Sequence, residues 1–592
     1  MSSRRSKAKA DKPASPAAPR QAKPQDANYK KHEADLINLA NKAKANTWDK
    51  KALQQTYIAF KALTLIALLA TYSSVSQLAL SPVYGSIPSA IYHYKLTIAG
   101  CFIGWSTNVI LNDNLPIKTE EILPIYALTI PAIQAILYGF SDQLGPRWGP
   151  VVTEALTLGP VTILSAATIA DYLTQIEIGW LPSSIAESLP GIASWGILRL
   201  AEKEVAGFLS SHVGTAFVYT RLGLELVLAG LYTIFAPSRW VLLALPALFH
   251  TAFLNPHVQT TTAMASLQEA LTAQNITLID RQESVTGYIS VIENSAIGWR
   301  LMRCDHSLLG GEWVYIRGVP IPVKEPVYSV FLMLEAVRLV ETEVPVADKN
   351  AKALVIGLGV GTTPTALVDH GINTTVVEID PVVHDFAVKH FGLRENNPAV
   401  LEDAVSYTTK LVKEAPETYD YIVHDVFTGG AEPVDLFTLE FLQGLNSLLK
   451  PEGVIAINYA GDFRLPAPKV VVRTILEVFP ACRVFRESAA DEETADKQGQ
   501  DFINTVIFCR KIDAPLTFRP AVEADFLKTR GRAIYLEPKF EVDVQELLGA
   551  QDEWGILRKN RTEMMAEWHV TSATGHWRIM RQVVPPRVWE LW

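Results

Sequence analysis

Three glycines at alternate positions, Gly357, Gly359 and Gly361, follow a short apolar run. The run at 353–356 predicts a buried strand, and the residues after the glycines predict a helix. Glycine lets the backbone turn sharply and come close to a ligand. The next strand ends at Glu378, and a carboxylate about 20 residues after such a turn can accept hydrogen bonds from both hydroxyls of a ribose. The spacing therefore predicts a nucleoside site.

The form of the glycine motif narrows the choice of nucleoside. A dinucleotide site uses G-x-G-x-x-G, in which the glycines and a helix N-terminus hold a pyrophosphate. Here position 362 is a threonine, and the pattern is G-x-G-x-G. We interpret it as a turn that meets the methionine part of S-adenosylmethionine, or of its decarboxylated form, bound as a co-substrate.

Two further predicted strands end in acids. Asp403 and Ala404 follow a strand in "VLEDAVSY", where a carboxylate can accept from the amino group of adenine. Asp425 ends the apolar strand of "YDYIVHDVF". Because open α/β sheets bind ligands at the carboxyl ends of their parallel strands, we expect both acids at the site. No spacing typical of metal ligands is found, so no metal is predicted.

Regular elements surround these residues. Short β-rich runs at 286–318, broken by Gly and Asn, predict a small antiparallel sheet. The apolar stripe of 325–341 predicts a helix. From 346 onwards strands alternate with helices, which predicts an open parallel sheet.

The first part of the chain is different. Charged residues make up only 19% of the sequence, and the mean hydropathy is +0.15. Because most of the apolar runs approach the roughly 20 residues that a helix needs to cross a bilayer, we predict a multi-pass membrane domain rather than buried helices of a soluble protein. The segment 177–211 is ambiguous, and the number of spans stays open. Six such runs occur, at 57–80, 94–111, 122–140, 150–173, 216–236 and 239–254.

The charges outside and inside these runs suggest an orientation and an internal pair. The first 51 residues are rich in Lys and Arg, which predicts a disordered tail and a cytosolic N-terminus. Arg221 and Glu225, spaced i, i+4, can neutralise each other, and Glu154 is a further acid within a run. The four cysteines are far apart and form no CxxC pair, which argues against a disulfide framework and predicts a reducing compartment, the cytosol, for the transferase part.

The combination of these motifs resembles a known family. A small β-sheet, a helix with a Tyr in "EPVYSV", the glycine turn, "VEID", "EDA" and "HDVF…LFTLEFL…LLKPEGV" are similar to spermidine synthases, in particular to the branch fused to membrane spans. The similarity covers about 285–510. It implies that Asp425 is the catalytic acid, that Tyr328 lies at the substrate, and that Gly357, Gly359, Gly361, Glu378, Asp403 and Ala404 bind the S-adenosyl ligand.

The resemblance also carries expectations about fold and partners. It implies a Rossmann-like, class I S-adenosylmethionine-dependent α/β transferase with a small N-terminal β-sheet, here behind a multi-span α-helical membrane domain. A homodimer through the small sheet is possible, and the net charge of −9 gives no reason to expect nucleic acid. The predicted domains are a tail (1–52), a transmembrane domain (53–256), a linker and small sheet (257–345), the transferase domain (346–512) and an extension (513–592). We expect the tryptophans of the extension to pack on the transferase domain.

Departures from the family keep more than one function open. Val360 and Thr428 stand where the family has acids, and Glu432 is a weak candidate for a second acid. Alkylamines are protonated at neutral pH and need a carboxylate to take the proton. Aminopropyl transfer to a polyamine-type amine is the first expectation. Methyl transfer to a small or lipid-like substrate, which needs mainly positioning, is the alternative, favoured by Phe427. A non-catalytic sensor or a transporter is the third.

Overall fold

The structure is a computed structural model that describes residues 24–45, 48–176, 182–427, 429–549 and 554–591. A helical region comes first, followed by a five-stranded antiparallel sheet, an eight-stranded mixed sheet and a mostly helical extension. Part of the tail predicted to be disordered, Pro24–Ala45, is an exposed helix, and the first long apolar helix already begins at Trp48. The rest of the predicted tail lies largely outside the described residues.

All six apolar runs form helices. Among the described residues, three helical stretches are long and apolar enough to cross a membrane, namely Lys50–Tyr84, Thr119–Tyr138 and Ser141–Leu173. The helices of this region are Trp48–Tyr84, Ser86–Ala90, His93–Asn114, Thr119–Tyr138, Ser141–Ala155, Leu158–Leu173, Ser183–His212, Arg221–Phe235, Leu245–Leu254 and Thr261–Thr272, with short 3-10 turns at Phe217–Tyr219 and Val241–Ala244. Of the ambiguous segment 177–211, residues 177–181 lie outside the described residues, and the rest belongs to the long helix Ser183–His212.

Arg221, a buried charge of the helical region, has other partners than the sequence predicts. Arg221 does not pair with Glu225. Its guanidinium donates to Glu283 (3.0 Å) and to the carbonyl oxygen of Leu78 (2.7 Å), and it lies 3.4 Å from Asp305. The prediction of an i, i+4 pair is therefore wrong, because Arg221 begins its helix and faces the small sheet. Arg221 connects the helical region to that sheet.

The small sheet is confirmed and starts earlier than predicted. Its strands run in sequence order, each antiparallel to the next. They are β1 (Ile276–Glu283), β2 (Tyr288–Asn294), β3 (Trp299–Cys304), β4 (Ser307–Ile316) and β5 (Val319–Pro326). A short helix, Ser329–Leu334, continued by a 3-10 segment, Glu335–Leu339, leads to the large sheet.

The large sheet has the order β13-β11-β12-β10-β9-β6-β7-β8. Strands β8, β7, β6, β9 and β10 are parallel, and β12 lies antiparallel between β10 and β11. This is the strand order of class I S-adenosylmethionine-dependent methyltransferases. The strands are β6 (Lys352–Ile356), β7 (Asn373–Glu378), β8 (Val400–Leu401), β9 (Tyr419–His424), β10 (Leu449–Asp462), β11 (Ala481–Arg486), β12 (Phe502–Arg510) and β13 (Phe540–Val542).

Helices cover both faces of this sheet, and two apolar clusters form its core. Its central strands β6 and β9 are mostly apolar, as is typical of strands covered on both faces. The helices are Thr362–Asp369, Pro381–Phe386, Ala404–Glu414, Leu439–Leu448, Pro466–Val478 and Glu492–Gln498, with a π-helical turn at Ala387–Phe391 and a 3-10 turn at Val434–Phe437.

Two cysteines form a disulfide that the sequence analysis did not predict. Cys482 on β11 lies directly opposite Cys509 on β12, and the two are bonded. The prediction of no disulfide is wrong because antiparallel register, and not sequence spacing, brings the two residues together.

The C-terminal extension packs on the large sheet, where Trp568 contacts an apolar core cluster as predicted, and it also contacts the helical region. The indole nitrogen of Trp577 donates to the carbonyl oxygen of Val83, at the end of the first long helix (3.1 Å). Arg581 donates to the hydroxyl of Ser141 (2.8 Å), and Trp589 is fully buried. The helices of the extension are Arg530–Tyr535, Val544–Leu548, Ala566–Val583 and Pro586–Glu590.

Candidate active site

A cavity of about 1110 Å³ lies at the carboxyl ends of the parallel strands. Its walls come from the large sheet, from the start of β4, from the C-terminal helix Ala566–Val583 and from the turn after the first long helix, at Gly85 and Ser86. The structure brings seven of the eight predicted site residues to this cavity: Tyr328, Gly357, Gly359, Glu378, Asp403, Ala404 and Asp425. Gly361 instead stands immediately before the helix Thr362–Asp369, in a left-handed conformation.

The glycine turn needs glycine for lack of space as well as for its backbone angles. Gly357 has φ of 86°, and a Cβ built there would lie 2.0 Å from the carbonyl oxygen of Asp425. A Cβ at Gly359 would lie 2.4 Å from the carbonyl oxygen of Leu309 on β4. Neither contact is tolerable for a side chain, so the turn is fitted tightly between β9 and the small sheet.

Glu378, at the end of β7, is a buried carboxylate held by backbone donors. The amide of Leu358 donates to Oε2 (3.0 Å), and the amide of Asp380 donates to Oε1 (2.9 Å). The side chain is only 8% exposed, and burial raises the pKa of its carboxyl to about 7. The group is fixed in orientation, and its remaining lone pairs can accept from the hydroxyls of a ligand.

Asp403 and Ala404 lie where β8 passes into a helix. Asp403 caps the helix Ala404–Glu414, because its Oδ2 accepts from the amide of Ser406 (2.8 Å). Ala404 is buried beside it. The cap fixes one carboxylate oxygen of Asp403 and leaves the other for a donor in the cavity.

Asp425 follows β9 and is positioned from two sides. Its amide donates to the carbonyl oxygen of Ile356 (2.8 Å), and its Oδ1 accepts from the side-chain amide of Asn458 on β10 (2.7 Å). Burial raises the pKa of this carboxyl to about 6. The side chain is therefore ionised at pH 7.5 and can both orient a nitrogen and accept its proton.

The sequence analysis missed an acid on the far side of the sheet. Glu487, just after β11, lines the cavity and accepts from the hydroxyl of Ser329 (2.5 Å) and from the side-chain amide of Asn504 (2.7 Å). Its charge, together with burial, raises the pKa of Tyr328, which places the carboxylate near the phenol. No motif signals Glu487 in the sequence, because its position depends on the packing of β11 against β12 and on Ser329.

A second missed group comes from the C-terminal helix. His576 lines the cavity between the rings of Phe427 (5.2 Å between centroids) and Phe502 (5.5 Å), with its Nε2 3.2 Å from the hydroxyl of Ser307. Burial lowers the pKa of His576 to about 3, so the ring is neutral. This wall is apolar and aromatic, as Phe427 alone suggests in the sequence.

Other candidates from the sequence lie elsewhere. Glu432 does not line the cavity and instead lies 3.3 Å from Nε2 of His569 in the extension. His424 is fully buried against Phe437 and Phe441, which confirms a packing role. Thr428 lies outside the described residues. Within the part of the chain that the structure covers, no cluster of three His, Cys, Asp or Glu has the geometry to hold a metal ion.

The strand order, the glycine turn and the acids at three strand ends define an S-adenosylmethionine-dependent transferase. Residues 337–470 match the family model described as the spermine/spermidine synthase domain. A polyamine aminopropyltransferase of Vibrio vulnificus is 28% identical over 210 residues, which is 35% of this chain and 67% of that protein. A probable spermidine synthase structure from Corynebacterium glutamicum has a TM-score of 0.36 and 16% identity, and covers 48% of this chain and 96% of its own.

A relative that extends over nearly the whole chain is a methyltransferase. The N-terminal histidine N-methyltransferase of Emericella nidulans is 45% identical over 544 residues, which is 89% of this chain and 96% of that protein. The chain belongs to the family of this methyltransferase. It is an S-adenosylmethionine-dependent methyltransferase with a spermidine synthase-like domain, and S-adenosylmethionine is its co-substrate. The expected resemblance to spermidine synthases thus holds for the domain, while the relative that extends over nearly the whole chain is a methyltransferase.

Proposed function

We propose that the protein transfers a methyl group from S-adenosylmethionine to a nitrogen of a histidine at the N-terminus of a polypeptide. The observation that carries the proposal is the 45% identity to an N-terminal histidine N-methyltransferase along 96% of that protein. The cavity supports it, because it is large enough for a nucleoside together with a peptide end and presents acids at two separate places.

The co-substrate is assigned to the half of the cavity around the glycine turn. Glu378 accepts from the ribose hydroxyls, Asp403 with Ala404 meets the adenine, and Gly357 and Gly359 give the methionine part close access to the backbone. Bound there, the sulfonium supplies an electrophilic methyl group. The geometry favours these roles because Glu378 is buried and already oriented by two amides.

Asp425 is the residue proposed to act on the acceptor. A nitrogen must be neutral to attack the methyl carbon, and a proton leaves once the nitrogen–carbon bond has formed. The imidazole of histidine has an ordinary pKa near 6.5 and an α-amino group one near 8, whereas polyamine nitrogens lie near 10. Histidine therefore needs less help from carboxylates. One acid oriented by Asn458 suffices for positioning and for taking the proton.

The lower pKa of a histidine acceptor also accounts for Val360 and Thr428, which stand where spermidine synthases have acids. Aminopropyl transfer, the first expectation from the sequence, needs an acidic slot beside Asp425, but Phe427, Phe502 and His576 make that wall aromatic. Glu432 is turned away towards His569. We therefore prefer methyl transfer, the alternative of the sequence analysis, and do not propose polyamine synthesis.

Membrane attachment is part of the proposal. We propose that the three long apolar helices anchor the protein in a bilayer, with the catalytic cavity next to the end of the first of them at Tyr84. The disulfide Cys482–Cys509 favours an oxidising compartment for the catalytic domain, in place of the cytosol expected from the basic tail. A homodimer through the small sheet stays a prediction.

The test is methyl incorporation by the full chain purified in detergent. A short peptide that begins with histidine is compared with the same peptide carrying an alanine before the histidine, and with putrescine plus decarboxylated co-substrate. Labelling of the first peptide alone, lowered about a hundredfold or more by Asp425→Asn, supports the proposal. Glu492→Gln, an exposed acid on the neighbouring helix, is the matched control. Labelling of both peptides alike, or aminopropylation of putrescine, would overturn it.

A further inference from the structure

Glu487 is an acid of the cavity, and none of the described Lys, Arg or His side chains forms an ion pair with it. All polar contacts of its carboxylate in the described part of the chain are with neutral donors: the hydroxyl of Ser329 (2.5 Å), the amide of Val330 (3.3 Å) and the side chain of Asn504 (2.7 Å). Glu487 is half-buried in the wall of the cavity. Three donors orient the group, but its charge is left for something that enters the cavity.

The position of Glu487 relative to Asp425 follows from the strand register. Asn458, which holds Asp425, lies on the same face of β10 as Ala460, and Ala460 stands directly opposite Asn504 on β12. Asn504 in turn holds Glu487. Asp425 follows β9 and Glu487 follows β11, with β10 and β12 between these strands. At about 5 Å per neighbouring pair, the two acids stand at opposite ends of a row that spans strands roughly 15 Å apart and is bridged by the side chains of Asn458 and Asn504.

Two unsatisfied polar atoms lie along this row. The hydroxyl of Tyr328, close to Glu487, has no hydrogen-bond partner among the described residues, and neither has the carbonyl oxygen of the Asn458 side chain. Both side chains line the cavity. Buried polar atoms of this kind are normally paired, so the row presents a donor and an acceptor to a polar ligand.

We propose that Glu487 binds the α-ammonium group of the acceptor and thereby restricts the enzyme to histidines at a chain terminus. The inference rests on the proposed function and adds to it a specificity residue. Near neutral pH the α-amino group, with a pKa near 8, is mostly charged, whereas a histidine within a chain offers an uncharged amide at the same place. A charged partner would compensate the negative charge of Glu487, whereas an amide would leave that charge uncompensated.

Binding to the full chain loaded with S-adenosylhomocysteine tests this without relying on turnover. Calorimetry compares a short peptide that begins with histidine and the same peptide acetylated at its α-nitrogen. We expect the wild type to bind the free peptide about tenfold or more tightly than the acetylated one. Glu487→Gln should bring the two affinities close together, Glu487→Asp should keep the preference, and the exposed control Glu492→Gln should not change it.

The outcomes separate the inference from the function. Equal discrimination by wild type and Glu487→Gln, with the variant folded and its affinity for S-adenosylhomocysteine unchanged, would overturn the role of Glu487 and leave the proposed function standing. Failure of the wild type to bind either peptide would overturn the proposed function and this inference with it. In turnover, Glu487→Gln should raise KM for the free peptide about tenfold or more and leave kcat within about threefold.

Discussion

The buried carboxyl of Glu378 makes the stability of the ligand-free protein depend on pH in a way that one substitution removes. Burial raises its pKa from 4.5 to about 7. A difference of this size corresponds to about 3 kcal/mol of unfolding free energy, because one pKa unit is about 1.4 kcal/mol. Glu378→Gln keeps the shape, resembles the protonated acid and cannot ionise.

The direction of the pH dependence follows from whether the folded or the unfolded chain loses the proton of Glu378 first. Below pH 4.5 the carboxyl is protonated in the folded and the unfolded chain, and the pKa difference has no effect. Between pH 4.5 and about 7 the unfolded chain ionises first, so the folded wild type loses stability as the pH rises. Above that range the loss is complete and constant. The variant lacks this loss, so its advantage over the wild type should grow by about 2.5 kcal/mol between pH 5 and pH 8.

The measurement is denaturant unfolding of both full chains in detergent without ligand, at pH 5 and pH 8. Whatever the substitution costs in hydrogen bonds to Leu358 and Asp380 enters at both pH values and cancels in the comparison. Stabilisation by S-adenosylmethionine should be lost in the variant, because an amide cannot accept from two ribose hydroxyls as the carboxylate does. A stability difference that does not change with pH would refute the argument that Glu378 is desolvated.

Three further predictions concern other parts of the site and its support. Gly357→Ala should abolish binding of S-adenosylmethionine in calorimetry, because its Cβ would lie 2.0 Å from a carbonyl oxygen; binding of normal affinity would contradict the geometry. Cys482→Ser should lower the unfolding free energy by about 3–4 kcal/mol, the effect of opening a loop of this length, and a reductant should then no longer destabilise the protein. Trp577→Ala breaks the hydrogen bond to the carbonyl oxygen of Val83. It should therefore lower the unfolding temperature and make the linker before the helix Ala566–Val583 sensitive to protease. An unchanged digestion pattern would count against that contact.

Local pattern was enough to predict the half of the site to which we assign the co-substrate. Apolar strands, a glycine turn and acids at strand ends are set by short segments, and the parallel sheet brings Gly357, Glu378, Asp403 and Asp425 to one edge without further information. The small antiparallel sheet and the helices of the apolar runs were predictable for the same reason.

Contacts between distant segments could not be predicted in this way. Glu487 and His576 reach the cavity through the packing of β11 and of the C-terminal helix, and neither belongs to a motif. The sequence suggested Glu225, on the same helix, as the partner of Arg221. In the structure the guanidinium of Arg221 donates to Glu283 of the small sheet instead. The bond between Cys482 and Cys509 depends on a cross-strand register that no spacing encodes.

The order in which the walls of the cavity occur along the chain has a consequence for biosynthesis. Gly85 and Ser86 come first, the glycine turn and Asp425 lie in the middle, and the helix that carries His576 comes after all of them. Because chains are made from the N-terminus, the nucleotide-binding sheet can fold before its last wall exists. A nascent chain can therefore reach a stage in which the residues assigned to the co-substrate stand in an open cleft. The last wall of the cavity is added only when the C-terminal helix docks against the end of the first long helix.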